Sequence, residues 1–242
     1  MRSTPLFIAL DVPTKQDAMG LLHHFSDEKP AVKVGMELFY KEGPAMIYDL
    51  KVLGHEVFLD LKLHDIPETV KRSMMVLATL GIDLVNVHAA GGKRMMEAAM
   101  EGLVIGTPSG RDVPDCIAVT QLTSTSDMML KEELHVYEPI TDHVVHQGGL
   151  ALQAGLKGVV CSAMEAAELK RHHPAIWTLT PGIRLKNDAP HDQIRVMTPS
   201  AARVAGSDAI VVGRGITKAE NPRAAYLNYM KEWTVNDNDN AR

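Results

Sequence analysis

Eight short apolar segments, separated by stretches of helical periodicity, are the feature that most limits how this chain can fold. Four of them start at a glycine of the kind that ends a helix and continue as a buried strand: Gly54 to Asp60, Gly81 to His88, Gly155 to Ser162 and Gly206 to Gly213. Four further apolar runs end at Asp11, Gly35, Leu122 and Pro181. Near-continuously apolar strands that alternate with helices predict a parallel sheet covered by helices.

The number of strand–helix units favours a closed barrel. Eight units in 242 residues fit a single-domain α/β fold of the (β/α)8 (TIM) barrel type, although the pattern leaves a doubly wound open sheet as the alternative. Glu68 to Leu80 and Thr217 to Trp233 are examples of segments with helical spacing. We predict a barrel domain over residues 1–235 and a disordered polar tail over residues 236–242.

Composition excludes several other classes of protein. The chain has 25 Lys and Arg against 30 Asp and Glu, a net charge of −5 and 45% hydrophobic residues, a balance typical of a soluble globular protein. It has no apolar run of the ~18 residues that a membrane span needs, and no basic run of the kind that binds nucleic acid. The ligand is therefore expected to be a small molecule.

The cysteines and the start of the chain predict the compartment. Cys116 and Cys161 are the only cysteines, and each lies in an apolar stretch, as buried thiols do in a reducing compartment. The first apolar run is too short for the core of a signal peptide. We therefore expect a cytoplasmic protein.

The residues that follow the strands are the candidates for chemistry, because (β/α)8 barrels carry their active sites at the carboxyl ends of the strands. These positions hold Asp11, Lys33, Asp60 with Lys62, His88, Gln121 with Thr123, Ser162, Pro181 with Gly182, and Gly213 with Arg214. Asp60 and Lys62 are two residues apart and would share one face of an extended strand, with Asp65 on the loop that follows. An ammonium held among carboxylates is a positioned proton donor, and a salt-bridged strand end is the alternative interpretation.

Two other segments suggest a phosphate site and a lid. Gly213-Arg214-Gly215 follows the last strand, where such barrels often bind phosphate, although a glycine-rich turn has the same composition. Gly182 to Val204 is long, polar and contains prolines, as a mobile lid above a ligand would be, although an ordinary exposed surface loop has the same composition. His143 and His146 could share a helical face but lack a third ligand, so no metal site is predicted.

From about Leu6 to Trp233 the chain resembles the orotidine 5′-phosphate decarboxylase family, and its compact bacterial branch in particular. The stretch that matches the family signature is DLKLHDIPETV, which begins at Asp60. The companion stretches are ALD ending at Asp11, VKVG around Lys33, NVHAAGG from Asn86, QLTS from Gln121, LTPGIR to Arg184, NDAPHDQIRVMTP across the expected lid, and VVGRGIT near the end.

The resemblance implies a homodimer of (β/α)8 barrels that converts orotidine 5′-phosphate to UMP and CO2, the last step of de novo pyrimidine synthesis, with no metal or organic cofactor. It implies that Lys62 donates the proton to C6 of the pyrimidine and that Asp60, Asp65 and Lys33 are the other catalytic residues. The substrate-binding residues that it implies are Asp11 and Lys33 at the ribose, Thr123 at the pyrimidine, Gln193, Gly213 and Arg214 at the phosphate, Arg184 at the lid, and Asp60, Thr69 and Pro181. Asp65 and Thr69 would be donated by the partner subunit, and neither nucleic acid nor a membrane is an expected partner.

Two other functions remain open from the sequence. A Mg²⁺-dependent sugar-phosphate decarboxylase of the same superfamily would share the Asp-x-Lys-x-x-Asp motif but would lack the lid glutamine and the DIPET continuation, which stand here as Gln193 and Asp65 to Thr69. A non-catalytic barrel that binds a phosphorylated ligand would keep Gly213 and Arg214 but would have no need for the charged residues that start at Asp60.

Overall fold

The computed structural model describes residues 5–25, 28–186 and 196–234, and in them eight parallel strands close into a barrel. The strands are β1 (Leu6–Ala9), β2 (Ala31–Gly35), β3 (Val57–Leu63), β4 (Leu84–His88), β5 (Asp115–Val119), β6 (Gly158–Val160), β7 (Trp177–Thr180) and β8 (Ala209–Val212). Each strand pairs with the next in chain order, and β1 also pairs with β8. The predicted (β/α)8 barrel is confirmed, and the open sheet is excluded because no strand of the barrel has a free edge.

Helices surround the barrel. In the described ranges they are α1 (Lys15–His23), α2 (Met36–Glu42), α3 (Pro44–Val52), α4 (Pro67–Ala78), α5 (Gly92–Gly106), α6 (Asp127–Glu132), α7 (Ile140–Gln153), α8 (Ala163–His172), α9 (Pro199–Val204), α10 (Arg214–Thr217) and α11 (Pro222–Thr234), with a 3-10 turn at Ala89–Gly91. Helices α4 and α5 approach closely, since a Cβ on Gly102 would lie 2.3 Å from the Lys71 carbonyl oxygen. The backbones of α4 and α5 are therefore packed directly against each other.

The four glycines predicted to end helices do so through their backbone conformation. Gly54, Gly81, Gly155 and Gly206 have φ angles of 86°, 72°, 84° and 93°, a left-handed region that residues with a Cβ adopt at a cost. Each is followed within a few residues by a strand of the barrel. Helix-ending glycines were thus a correct signal for where these strands begin.

Two segment predictions need correction. Thr217 to Trp233 is not one helix, because α10 ends at Thr217 and α11 starts at Pro222, a residue that fits the first turn of a helix but breaks its interior. The expected lid, Gly182 to Val204, is not loop throughout, because Thr198 caps α9 and the chain is helical from Pro199. Residues 187–195 of that segment, and the predicted tail, lie outside the described residues.

Apolar side chains pack in two regions, one inside the barrel and one between the sheet and the helices. The inner core includes Phe7 and Phe58, whose rings meet edge to face at 5.7 Å. Cys116 and Cys161 are buried thiols that form no disulfide, as predicted. Across the described ranges, no helix combines the length and the apolar character that crossing a bilayer would require.

Candidate active site

Four charged side chains meet at the carboxyl end of the barrel, and we refer to Asp11, Lys33, Asp60 and Lys62 as the charged cluster. The Lys33 ammonium lies 2.9 Å from Asp11 Oδ1 and 3.3 Å from Asp60 Oδ2. The Lys62 ammonium lies 2.6 Å from Asp60 Oδ1. Charges of alternating sign therefore run from β1 across β2 to β3, and Asp60 links the two lysines.

Three members of the charged cluster, Lys33, Asp60 and Lys62, border a cavity of about 260 Å³ at the carboxyl ends of the strands. Besides Lys33, Asp60 and Lys62, the polar lining comprises Gln121, Thr123 and Ser124, and apolar residues such as Phe58, Pro181 and Val211 form the rest of the wall. Thr123 and Pro181, which were both expected to bind the substrate, thus line this cavity. The cavity is large enough for one small molecule and combines an apolar wall with a few polar groups, as ligand sites do.

Lys62 reaches the charged cluster through a bulge rather than through regular strand alternation. The pairing of β3 with β4 runs Phe58 to Leu84 and Leu59 to Val85, but then shifts so that Leu63 faces Val87. Lys62 has a φ of 53°, a left-handed conformation that costs a residue with a Cβ about 1–3 kcal/mol. The prediction that Asp60 and Lys62 come together is confirmed, but the regular extended strand assumed for it is wrong.

The surroundings of Asp60 and Lys33 keep both groups ionised. Burial by itself would raise the pKa of Asp60, but the positive charges of Lys33 and Lys62 outweigh it and hold that pKa below its ordinary value. Burial would likewise lower the pKa of Lys33, but the carboxylates of Asp60 and Asp11 outweigh it and raise that pKa. Asp60 and Lys33 therefore keep their charges over the physiological pH range.

The lowered pKa of Asp60 predicts how stability depends on pH. A carboxylate of lowered pKa stabilises the fold above its ordinary pKa of 3.8, and this contribution is lost as the pH falls through and below that value. Between about pH 6 and pH 3, the free energy of unfolding should therefore fall more steeply in the wild-type protein than in Asp60→Asn, measured by denaturant titration. Asp112→Asn, at an exposed carboxylate, is the matched control. A wild-type to Asp60→Asn difference that is the same at every pH would contradict the lowered pKa.

His88 ends β4 beside the charged cluster. Burial, together with the nearby His64 and Lys62, lowers the pKa of its imidazole, and Asp60 opposes this only in part. The rings of His64 and His88 are 5.5 Å apart. His88 is therefore neutral at pH 7, so one of its ring nitrogens donates a hydrogen bond and the other accepts one.

Of the residues predicted to bind phosphate, Gly213 and Arg214 directly follow β8, the strand that pairs with β1. A Cβ on Gly213 would be 3.9 Å from Asp11 Oδ2, so the end of β8 adjoins the charged cluster. Arg214 follows as the first residue of α10 and is half-buried. Arg184 is buried and donates from Nη1 to the Ile183 carbonyl at 2.7 Å, and among the described residues its Nε has no hydrogen-bond partner.

Two of the predicted site residues, Asp65 and Thr69, are not part of this arrangement within the single chain. Asp65 and Thr69 are exposed, and the Asp65 carboxylate accepts a hydrogen bond at 2.7 Å from the adjacent Ile66 backbone. Neither borders the cavity within this chain. Gln193 lies outside the described residues.

Sequence reasoning missed one polar residue of the site. Asn86 lies in β4, is 0% exposed and hydrogen-bonds to both Asp60 and Lys62. An amide in the otherwise apolar strand LVNVH, two residues before His88 and hence on the same face, was the available signal. Within the described ranges, no group of three or more His, Cys, Asp or Glu side chains is arranged to hold a metal ion.

Fold and site together define a class of protein, a (β/α)8-barrel enzyme with its charged residues at the carboxyl ends of the strands. Residues 4–229 match the model of the orotidine 5′-phosphate decarboxylase / HUMPS family. The chain belongs to this family.

Individual relatives match this chain over almost its whole length. The orotidine 5′-phosphate decarboxylases of Bacillus caldolyticus and of Geobacillus kaustophilus (strain HTA426) are 58% and 57% identical to it over 231 residues, which is 95% of this chain and 95% of each relative. The crystal structure of orotidine 5′-phosphate decarboxylase from Lactobacillus acidophilus is 41% identical, with a TM-score of 0.86 over 96% of this chain and 100% of that one. The enzyme from Pyrococcus horikoshii OT3 keeps the fold at 25% identity, with a TM-score of 0.75 over 96% of this chain and 100% of that one.

Proposed function

We propose that the protein decarboxylates orotidine 5′-phosphate to UMP and CO2, the last step of de novo pyrimidine synthesis, with no metal or organic cofactor. The observation that carries this proposal is the charged cluster, in which the Lys62 ammonium lies 2.6 Å from the Asp60 carboxylate at the edge of a partly apolar cavity. Membership in the family and relatives of that name at 57–58% identity support the choice of substrate.

The chemistry explains why such a site needs fixed charge. Loss of CO2 breaks the bond from C6 to the carboxyl carbon and leaves an electron pair on C6, with no adjacent carbonyl able to delocalise it. Stabilisation must then come from preorganised charge rather than from an electron sink. The Lys62 ammonium supplies this charge and donates its proton to C6, which gives UMP.

Asp60 has two roles in this mechanism. It holds the Lys62 ammonium in place, because a carboxylate kept ionised at 2.6 Å fixes both the charge and the position of the lysine. It also faces the substrate carboxylate and disfavours the ground state relative to the transition state, from which negative charge has left that group. The Lys33 ammonium forms ion pairs with the second carboxylate oxygen of Asp60 and with the Asp11 carboxylate, and so connects the two acids.

The remaining predicted residues bind the parts of the substrate that do not react. Asp11 and Lys33 bind the ribose hydroxyls, Thr123 the pyrimidine, and Gly213 and Arg214 the phosphate, together with Gln193 and Arg184 from the segment that follows β7. The exposed Asp11 carboxylate, and the Nε of the buried Arg184, which has no hydrogen-bond partner among the described residues, support this distribution. Contacts far from C6 orient the base, and they stabilise the transition state as well as the bound substrate.

Removing the phosphate from the substrate should therefore slow the reaction itself. We expect kcat/KM for orotidine to be at least about 10³-fold below that for orotidine 5′-phosphate, with a lower kcat as well as a higher KM. Steady-state kinetics on both substrates would measure the difference. Equal kcat values for the two would show that the phosphate contributes to binding alone.

We also infer a homodimer in which each subunit donates Asp65 and Thr69 to the other's site. Both residues are exposed and outside the cavity in the single chain, although they lie in the segment that directly follows the charged cluster. A cytoplasmic location fits two buried thiols without a disulfide.

The first test is to incubate the purified protein with orotidine 5′-phosphate in EDTA and to follow substrate absorbance and UMP formation. We expect rapid conversion that EDTA does not reduce. Absence of conversion by folded protein would refute the proposed function and favour a binding role. Conversion that requires added Mg²⁺ would refute the metal-free mechanism and favour the chemistry of the sugar-phosphate decarboxylases.

A further inference from the structure

Asn86 is a fully buried polar residue on the inner face of the barrel. It lies in β4 between Val85 and Val87, which face the helices, so its side chain shares the inner face with Leu84 and His88. Its exposure is 0%. Burying an amide costs free energy unless its donor and acceptor form hydrogen bonds. The partners of Asn86 therefore indicate why an amide lies at this position.

Those partners are the two central residues of the charged cluster. Asn86 Nδ2 donates to Asp60 Oδ1 at 2.7 Å, and Asn86 Oδ1 accepts from the backbone N–H of Lys62 at 2.8 Å. An ionised carboxylate only accepts and a backbone N–H only donates, so both bonds define one orientation of the amide. One neutral side chain thus connects the Asp60 carboxylate to the Lys62 backbone.

Asn86 also stands opposite the bulge in β3. Leu59 pairs with Val85 and Leu63 with Val87, so three residues of β3 face the single position of Asn86. The left-handed Lys62 lies within this bulge. A left-handed conformation at a residue with a Cβ persists only where its surroundings hold it, and the side-chain oxygen of Asn86 supplies the acceptor for its N–H.

We propose that Asn86 is a positioning residue, which holds the bulged, left-handed backbone of Lys62 and the rotamer of Asp60 together so that the lysine ammonium points at the reacting carbon. The proposal rests on the proposed function, since it assigns Lys62 as the proton donor. Oδ1 of Asp60 receives hydrogen bonds from both Lys62 Nζ and Asn86 Nδ2, so the amide limits the directions from which the lysine can approach that oxygen. An apolar residue in place of Asn86 would leave the Lys62 N–H without this acceptor and Asp60 with one restraint fewer.

The first experiment measures kcat and KM of Asn86→Ala. We expect kcat to fall about 100-fold, as a displacement of roughly 1 Å in a reacting group can cause, while KM and the affinity for UMP change little. Thr178→Val is the matched control, because Thr178 is also 0% exposed and its hydroxyl hydrogen-bonds to the Gly206 carbonyl and to Asp208 Oδ2, at the opposite end of its strand from the site. The control should lose thermal stability and keep wild-type kcat.

The second experiment uses Asn86→Asp, which keeps the size of the side chain. The charged and titratable groups around this position are Asp60, Lys62, Lys33 and His88. When protonated, the introduced carboxyl can accept from the Lys62 N–H and donate to Asp60, as the amide does; when ionised it cannot donate, and it repels Asp60. The ratio of variant to wild-type kcat should therefore fall as the pH rises from about 5 to 8.

Each outcome is decisive for Asn86. Wild-type kcat in Asn86→Ala, or a loss of kcat no larger than that of Thr178→Val at equal loss of thermal stability, would overturn the proposal. If Asn86→Ala does not fold, a pH-independent kcat ratio for Asn86→Asp would overturn it, and a ratio that falls with pH would support it. If the wild-type protein converts no orotidine 5′-phosphate, the proposed function fails separately, and a crystal structure of Asn86→Ala with Lys62 still left-handed would overturn the positioning role.

Discussion

Lys62→Ala should lower kcat for orotidine 5′-phosphate by at least about 10⁴-fold while the protein stays folded, because the substitution removes the proposed proton donor and its positive charge. The fold should survive because Asp60 keeps the Lys33 ammonium at 3.3 Å and the Asn86 amide at 2.7 Å, so no buried carboxylate is left unpaired. Turnover would be followed by UMP formation, and folding by circular dichroism and thermal unfolding.

The control for this prediction is a lysine of equal size in an ion pair at the other end of the barrel. Lys51 lies 2.6 Å from Asp83, which directly precedes β4, and Lys51→Ala removes the same atoms without touching the site. It should retain wild-type kcat. Near-normal turnover by Lys62→Ala would refute the role of Lys62, and with it the proposed mechanism.

Mixing two inactive variants should restore activity if Asp65 serves the partner's site. Lys62→Ala and Asp65→Ala should each be strongly impaired as homodimers, because every site lacks one residue. In a mixed dimer one site carries both substitutions and the other carries neither. Random pairing of equal amounts would make half of the dimers mixed, so activity should return to roughly a quarter of the wild-type value.

The matched control mixes Lys62→Ala with Asp60→Ala. Both residues belong to the site of their own chain, where their side chains are 2.6 Å apart, so no mixed dimer has an intact site and no activity should return. Subunits would be exchanged by co-expression in equal amounts, and activity measured on the unfractionated mixture; mixed dimers isolated through different tags should reach roughly half of the wild-type value. If Lys62→Ala with Asp65→Ala recovers no more activity than this control, Asp65 acts within its own subunit and the shared site is refuted.

The contrast between Lys62 and Asp65 also shows how far a motif can be interpreted without a structure. Both belong to one short stretch, and the resemblance made both catalytic, with Asp65 donated by the partner subunit. In the folded chain Lys62 lines the cavity, while Asp65 is exposed between the end of β3 and the start of α4. A motif records which residues are near in sequence, while the direction of each side chain depends on backbone angles that the neighbouring strand helps to set.

Asn86 is a second residue whose contacts could not be predicted from the sequence. Its position in β4 was predictable from the apolar run that ends at His88, and two-residue periodicity would place it on the inner face. Its two hydrogen bonds join it to residues 24 and 26 positions earlier in the chain. Contacts over such separations depend on strand register. Here the register includes a bulge in β3 that the local sequence pattern did not predict.

What the sequence determined by itself was the architecture and the list of groups at one end of it. Apolar runs, helix-ending glycines and the number of units specify a parallel sheet covered by helices and favour a (β/α)8 barrel, because burial of both faces of each strand and the φ angles open to glycine are local properties. Only the tertiary structure decided that the sheet closes, that Lys62 is left-handed, that Asp60 bridges two lysines and that Asn86 hydrogen-bonds to Asp60 and to the Lys62 backbone. These features arise where strands of different parts of the chain meet, and their energies depend on distances that do not exist until the barrel closes.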